Sequence, residues 1–334
     1  MRFLPTVPNQ SSTVTVIHLV VQCGHCFEIR PTVRAHANME RMKTTFITGR
    51  SDSLEGPVVR VQQATVPWWS FTKTALATAA LCLVGQGRLR LDEPFNGRPY
   101  TLRHLLQHRA GVPDYGGLPN YHEAVRRGEK PWDAGTLLEQ VKPDRLEFEP
   151  GHGWRYSNVG YLFVRQKIEE TTGRDIGSAL KQLIFDDLGL TSVRVVTTAE
   201  GLADTAWGNK SGYDPGWVYH GLLVGTADDA VRFLHRLILG DVLPEAILAE
   251  MIKPVPLGGP LPNRPWETTG YGLGLMIGRF ASAGSTLGHS GAGPNSVSAV
   301  YHFDGRGEPR TVAAFAEGQD EGLTEHEVVR LASS

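Results

Sequence analysis

One segment, residues 66–84, constrains the fold of this chain more than any other. Its apolar start, residues 66–69, leads into Ser70-Phe71-Thr72-Lys73, and an alanine-rich stretch follows over residues 74–84. The pattern predicts a helix over 72–84, with the Ser70 and Lys73 side chains one turn apart and directed the same way. The start of a helix presents unpaired N–H groups and a partial positive charge, which favour an oxyanion and disfavour a protonated lysine. We therefore interpret the pair as a nucleophile and its base.

Two further motifs follow along the chain. Tyr156-Ser157-Asn158 comes after the turn-rich residues 150–155, and the run 288–293 (GHSGAG) precedes a strand-like stretch at 296–303. A Ser-x-x-Lys pair alone recurs by chance in chains of this length. Three motifs in this order match the order used by serine β-lactamases and penicillin-binding proteins. The other two motifs are therefore what makes the Ser-x-x-Lys pair a candidate site.

With these motifs the chain resembles the class C branch of the serine β-lactamase and D-Ala-D-Ala carboxypeptidase superfamily, which also contains family VIII esterases and D-aminopeptidases. Other segments resemble the family in the expected order, and the resemblance spans roughly residues 66–332; these segments are 87–94, 101–115, 149–173, 184–190, 221–239 and 271–275. The resemblance implies an α+β fold of the β-lactamase/transpeptidase type. We expect an antiparallel sheet flanked by helices, and a mostly helical inserted lobe that faces it across a substrate cleft.

The resemblance also implies a role for each residue of the first two motifs. Ser70 would form the acyl-enzyme, and Lys73 would help to take its proton. Tyr156 would pass that proton to the leaving group, and Asn158 would bind the amide or carbonyl of the substrate. The chemistry is reasonable on general grounds, because an alcohol nucleophile needs a proton acceptor and a tetrahedral oxyanion needs fixed donors.

The third motif departs from the β-lactamase pattern. By resemblance, the N–H groups of Ser70 and Ala292 would form the oxyanion hole, with Ala292 on an edge strand directly after His289, Ser290 and Gly291. His289 stands where those enzymes usually carry lysine, and an imidazole is mostly neutral at pH 7. A substrate carboxylate would lack its cation, which weakens the case for penicillin hydrolysis. No Glu-x-x-x-Asn element of the class A kind is evident, so deacylation would also use the tyrosine and the lysine.

Each candidate has a structural alternative. Ser70 could be a helix N-cap with Lys73 exposed, and Tyr156 and Asn158 could be turn residues. His289 could be a strand-end residue that makes local hydrogen bonds only. A catalytically silent scaffold or binding protein with this fold is the alternative from another functional class, because a fold does not guarantee an activity.

The substrate hypothesis depends on the loops. Residues 111–130 and 254–266 are rich in proline and glycine and would rim the cleft, and six aromatic residues could form its walls: Tyr115, Tyr121, Trp132, Trp154, Trp207 and Trp217. An apolar mouth without a lysine at the third motif suits a neutral ester or small amide. We predict a serine hydrolase for such substrates, with a β-lactamase or D-amino-acid peptidase of the same mechanism as the alternative.

Composition excludes several other functions. A formal charge of −2 over 334 residues gives no field that attracts nucleic acid. Three cysteines cannot make a disulfide framework, and Cys23 and Cys26 have no second pair to complete a zinc site. No Gly-x-Gly-x-x-Gly or Walker-type run opens a helix. We therefore expect no metal and no cofactor. We also expect no membrane span and a cytoplasmic location.

The domain organisation follows from the same patterns. We predict an uncertain N-terminal segment over residues 1–57, partly disordered in one interpretation, and a serine hydrolase domain over 58–334 with a helical insertion at about 88–265. Strands are predicted at 13–21, 58–63, 271–277, 296–303 and 311–315, and further helices at 101–107, 160–170, 176–188, 227–239, 244–252 and 324–331. If the sheet edge lacks strands from the N-terminal segment, that edge would be exposed. A partner chain could then cover it in a homo-oligomer.

Overall fold

The computed structural model describes residues 44–51, 64–304 and 309–334. Within them, a seven-stranded antiparallel sheet is the largest element, and its strands are β1 (Phe46–Arg50), β5 (Val255–Gly258), β6 (Trp266–Tyr271), β7 (Met276–Phe280), β8 (Gly284–Ala292), β9 (Ser296–Phe303) and β10 (Arg310–Glu317). Their order across the sheet is β1-β10-β9-β8-β7-β6-β5. A second sheet in the order β2-β4-β3 joins β2 (Val66–Pro67), β3 (Arg194–Val196) and β4 (Leu222–Gly225). The predicted α+β class is confirmed.

The helices of the described residues fall mainly between β2 and β5. They are α1 (Thr72–Gly85), α2 (Leu102–Leu106), α3 (Pro119–Arg126), α4 (Ala134–Val141), α5 (Asn158–Thr172), α6 (Ile176–Leu180), α7 (Ala199–Ala203), α8 (Ala227–Ile238), α9 (Glu245–Met251) and α10 (Glu321–Ala332). None of them is long and apolar enough to cross a membrane.

Strands β9 and β10 of the large sheet are buried on both faces, because helices cover each of them. Val300 of β9 and Phe315 of β10 belong to the core that contains α8, whereas Tyr301 and Val312 point to a second core with α10. Neighbouring residues of a strand point to opposite faces, so strands covered on both faces are apolar at most positions. This explains why 296–303 and 311–315 could be recognised as strands.

Helix α1 lies in the middle of the molecule. All of residues 72–83 are buried, so this helix has no solvent-facing side, and it is apolar except for Lys73 and its threonines. Its alanines leave room for α5 and α6 to pack against it. Because α1 is packed on all sides, Ser70 and Lys73 at its start are held in place relative to the rest of the fold.

Some sequence predictions are corrected here. The strand predicted at 271–277 is wrong: β6 ends at Tyr271, β7 begins at Met276, and the residues between them form the connection. Leu273 and Leu275 in this connection are buried, which gave it the apolar pattern of a strand. The helix predicted at 176–188 ends as α-helix at Leu180 and continues as one π turn, Lys181–Phe185. Strands β1, β3, β4 and β5 and helices α3, α4 and α7 were not predicted.

The remaining helix predictions agree with the structure to within a few residues at each end. The strands predicted at 13–21 and 58–63 lie outside the described residues. The division into an N-terminal segment and a hydrolase domain with an insertion stays a prediction.

Candidate active site

Ser70 lies in a single 3-10 turn, Trp69–Phe71, that runs directly into α1. Trp69 has a φ of +46°, in the left-handed region that a residue with a side chain rarely adopts. The Trp69 indole N–H donates to Ser296 Oγ at 2.9 Å, so β9 holds this residue in place. Such backbone strain persists where surrounding contacts determine the conformation.

The first two motifs meet at the Ser70 hydroxyl. The Tyr156 hydroxyl donates to Ser70 Oγ at 2.9 Å, and Lys73 Nζ lies 3.4 Å from the same oxygen. Lys73 is completely buried, and its Nζ lies 4.8 Å from the centre of the Tyr156 ring and 5.8 Å from that of Tyr161. The structural alternative of an exposed Lys73 is therefore wrong.

Asn158 begins α5, and a carboxylate that sequence reasoning missed holds it. Asp114 accepts from the Asn158 backbone N–H at 2.7 Å and from its side-chain amide at 3.2 Å. Burial raises the pKa of Asp114, and these hydrogen bonds oppose the rise. Because Nδ2 donates to Asp114, the oxygen of the Asn158 amide is directed away from that carboxylate.

A buried histidine supports Tyr156. The Ser157 backbone N–H donates to His108 Nδ1 at 3.1 Å, and the His108 ring centre lies 4.3 Å from that of Tyr156. Burial, together with the nearby charge of Lys73, holds the pKa of His108 well below its usual range. His108 therefore packs as a neutral ring beneath the tyrosine. In the described part of the chain, no cluster of three His, Cys, Asp or Glu side chains could hold a metal ion.

The third motif lies on β8, which is not an edge strand as predicted: β8 is the central strand, between β7 and β9. Pairing with β7 stops at Gly288, however, whereas pairing with β9 continues to Ala292. The motif therefore extends beyond the end of β7. Its Gly291 lies against Ser70, so closely that a Cβ there would be 2.5 Å from the Ser70 backbone nitrogen.

His289 is a neutral ring with both nitrogens engaged by the protein. Its Nδ1–H donates to the Ser290 carbonyl at 2.5 Å, and its Nε2 accepts from the Tyr271 hydroxyl at 2.9 Å, in the tautomer that satisfies both contacts. Burial lowers the pKa of His289 to about 3. These contacts fit the structural alternative considered for His289 better than a direct contact with substrate.

The Ser290 side chain points into a buried ionic cluster that the sequence did not indicate. Ser290 Oγ donates to Glu325 at 2.5 Å, and so does the Trp266 indole at 3.1 Å. Arg264 binds Glu325 through two N–H groups, with Nε 2.6 Å from Oε2, and binds Glu321 at 2.8 Å. Glu325 is completely buried, so these donors replace the hydrogen bonds that water would give its oxygens.

A pocket of about 1100 Å³, including its open mouth, lies over Ser70. Of the predicted site residues, Ser70, Tyr156, Asn158, His289, Ser290 and Ala292 line it, while Lys73 and Gly291 lie directly behind. Tyr115, Tyr121 and Trp154 form walls as expected. The other three expected aromatics do not line this pocket: Trp132 packs against Trp217, and Trp207 lines a smaller cavity. His220, another residue that sequence reasoning missed, also lines the pocket.

Comparison with known proteins agrees with this fold. The sequence profile of the Beta-lactamase family matches residues 55–328, so the chain belongs to the Beta-lactamase family. It is 26% identical to Penicillin-binding protein 4* of Bacillus subtilis (strain 168) over 71% of this chain and 58% of that protein. It is 28% identical to Esterase EstB of Burkholderia gladioli, over 36% of each. The chain thus spans less than two thirds of the length of either relative.

A solved structure shares the fold as well. The D-amino acid amidase of Ochrobactrum anthropi SV3, in its complex with L-phenylalanine, superposes with a TM-score of 0.65 at 26% identity, over 81% of this chain and 83% of that one. The family resemblance inferred from the three motifs is therefore confirmed.

Proposed function

We propose that this chain is a serine hydrolase that forms an acyl-enzyme on Ser70 and hydrolyses neutral carboxylic esters or small amides. The observation that carries the proposal is the meeting of Tyr156 OH and Lys73 Nζ at Ser70 Oγ, beneath the pocket. The helical spacing explains the lysine contact, but the tyrosine comes from 86 residues further along the chain. A nucleophile with two proton-transferring groups at this range has the arrangement that acyl transfer requires.

Acylation would use these groups in turn. Ser70 Oγ attacks the substrate carbonyl carbon while its proton passes to Lys73 and Tyr156. The carbonyl oxygen becomes an oxyanion that accepts from the Ser70 and Ala292 N–H groups, each such donor being worth about 3 kcal/mol of transition-state stabilisation. The bond to the leaving group then breaks, and the alcohol or amine takes its proton from Tyr156. The close approach of β8 to the Ser70 nitrogen supports this oxyanion hole.

Deacylation would reverse the proton movements. Tyr156 and Lys73 take a proton from water as it attacks the acyl carbon, and Ser70 recovers a proton when its ester bond breaks. Asn158, held by Asp114, would bind the amide or carbonyl of the substrate. No metal or cofactor takes part in this proposal.

The charges around the pocket favour neutral substrates. His289 is neutral, with its pKa lowered to about 3 by burial, and the Ser290 hydroxyl is bound to Glu325. Arg264, the cation among the lining residues, is paired with both Glu321 and Glu325. A substrate carboxylate would have to displace one of these contacts. The names of the relatives, an esterase and a D-amino acid amidase among them, support esters and small amides.

A matched pair of esters tests the proposed substrate class. We expect 3-carbamoylphenyl acetate to be hydrolysed with a kcat/KM about tenfold to a hundredfold above that of 3-carboxyphenyl acetate, each normalised to its rate in alkali. The carboxylate ester would lose its hydration in the pocket without gaining a charge-assisted hydrogen bond, and the free energy of one such bond corresponds to this ratio. Nitrocefin and D-alanine amide complete the panel. A preference for the carboxylate ester together with fast nitrocefin turnover would favour the β-lactamase alternative.

The same panel addresses the scaffold alternative. If no substrate is hydrolysed and a fluorophosphonate probe labels no residue, the enzyme proposal is wrong. Covalent labelling with slow turnover of every member would keep the acyl-enzyme and contradict the substrate class only. The cytoplasmic location and the homo-oligomer stay predictions from the sequence.

Gly291→Ala is expected to lower ester kcat/KM by about a hundredfold. The added Cβ would stand 2.5 Å from the Ser70 nitrogen and 2.8 Å from Trp69 Cβ, so the strand and the nucleophile turn would have to separate. Displaced oxyanion donors cost on the order of a hundredfold in rate. Gly259→Ala is the matched control, because a Cβ there meets nothing within 4 Å. Equal activity of both variants, with unchanged thermal unfolding, would argue against the proposed oxyanion hole.

A further inference from the structure

Outside the three motifs, a buried histidine contacts the proposed base. His220 Nε2 lies 3.1 Å from Lys73 Nζ, although the two residues are 147 positions apart in the sequence. His220 is 3% exposed and lies in the wall of the pocket. Nothing in the proposed acylation and deacylation steps uses this ring.

The fold fixes His220 relative to the start of α1. Strand β4 follows two residues later, and its Leu223 accepts a hydrogen bond from the Trp68 backbone N–H at 2.9 Å. The Leu223 N–H donates in turn to Thr72 Oγ1 at 3.1 Å. These two bonds join the strand after His220 to the residues on either side of the nucleophile. The distance between His220 and Lys73 is therefore set by hydrogen bonds on both sides of Ser70.

The protonation state of His220 follows from its surroundings. Burial, together with the charge of Lys73, holds the pKa of His220 well below its usual range, so the ring is neutral. Its Nδ1 has no hydrogen-bond partner among the described protein groups. Buried polar atoms without a partner are rare and call for a reason. Because the ring stays next to Lys73 although its Nδ1 lacks a partner, we infer that Nε2 has a role.

Only one tautomer suits both protonation states of Lys73. With the proton on Nδ1, Nε2 accepts an N–H of Lys73 whether the side chain is an ammonium or an amine. With the proton on Nε2, two donors would face each other when Lys73 is an ammonium. When Lys73 is an amine, the Nε2–H group would bind the lone pair of that amine. That lone pair is the one that must receive the Ser70 proton. The Nδ1–H tautomer is thus the one compatible with catalysis.

We propose that His220 is a positioning residue for Lys73: its Nε2 accepts one N–H of the lysine and so turns the lone pair of the neutral amine toward Ser70 Oγ. This inference rests on the proposed serine hydrolase function and adds a residue to its machinery. The role needs a hydrogen-bond acceptor at the position of Nε2 and needs no proton transfer by His220 itself.

Two amide variants separate this role from packing. In His220→Gln the amide reaches the position of Nε2, whereas in His220→Asn it ends near that of Nδ1, so both are polar but only the first can contact Lys73. We expect His220→Asn to lower the acylation rate, measured as the burst of p-nitrophenol from p-nitrophenyl butyrate, by about tenfold to a hundredfold. His220→Gln should stay within about fivefold of the wild type. The dissociation constant of the ester, obtained from how the burst rate depends on ester concentration, should change little in either variant.

A second measurement keeps the test independent of ester turnover. The rate at which a fluorophosphonate labels Ser70 should fall in His220→Asn and recover in His220→Gln, while circular dichroism and thermal unfolding remain alike for both. Equal rates for the two variants would overturn the positioning role, whether both are fast or both are slow. Failure of the proposed function looks different, since the wild type itself would then neither hydrolyse esters nor take the label.

Discussion

Ser70→Ala is expected to lower ester turnover by a factor on the order of 10⁴ to 10⁶, the scale seen when an acyl-enzyme nucleophile is removed. The pocket and the Ala292 N–H remain in this variant, so weak residual catalysis of attack by water should persist. The fold should be unaffected, because the Ser70 side chain caps no helix: Phe71 stands at the N-cap position of α1, without a side-chain cap. The measurements are kcat/KM for p-nitrophenyl butyrate and the intact mass after reaction with a fluorophosphonate.

The control for Ser70→Ala is Ser211→Ala, which changes an exposed serine that contacts Asn295. The control should keep its turnover within twofold and gain one phosphonate, whereas the Ser70 variant should gain none. A phosphonate adduct that survives in Ser70→Ala would assign the nucleophile to another residue. Turnover within tenfold of the wild type would have the same meaning.

Removing either of the two proposed proton-transfer groups should also have a large effect. Lys73→Met and Tyr156→Phe are each expected to lower the acylation rate by about a hundredfold to ten-thousandfold, the usual range for positioned acid–base groups. Methionine fills the space of the completely buried lysine without its charge. Phenylalanine keeps the ring that packs 4.3 Å from His108 and loses the hydroxyl. Rapid-quench or stopped-flow measurement of the burst reads the acylation step directly.

The double variant tests whether the two groups act together. If Lys73 and Tyr156 pass one proton along one path, removing the second group adds little to the loss caused by the first, and the two free-energy effects are far from additive. Independent roles would give a double variant whose loss is the product of the single losses. Near-normal acylation in both single variants would show that the roles are misassigned.

The sequence predicted those parts of the site that depend on local geometry. Ser70 and Lys73 are three residues apart, so a helix alone brings them together. The order of the motifs then led to the family, and from the family to Tyr156 and to β8. Strands β9 and β10 could be recognised because helices cover both of their faces, so that most of their positions are apolar.

The sequence could not predict contacts made by residues far apart in the chain. His220 is 147 residues from Lys73, Asp114 is 44 from Asn158, and Glu325 is 35 from Ser290. No spacing rule relates such pairs, since their distance depends on how whole layers of the fold pack. The residues next to each of these polar groups in the sequence do not indicate its partner, which only the folded structure brings close.

The left-handed Trp69 has a consequence for how this pocket can change. Its indole is bound to Ser296 and packs so tightly on Gly293 that a Cβ there would lie 2.2 Å from the ring. The Trp69 side chain therefore forms part of the pocket wall and also fixes the position of the neighbouring Ser70 hydroxyl. A smaller residue at position 69 would enlarge the pocket but would also leave Ser70 less firmly positioned. Variants that accept substrates with bulkier acyl groups must therefore gain space on the opposite side of the pocket.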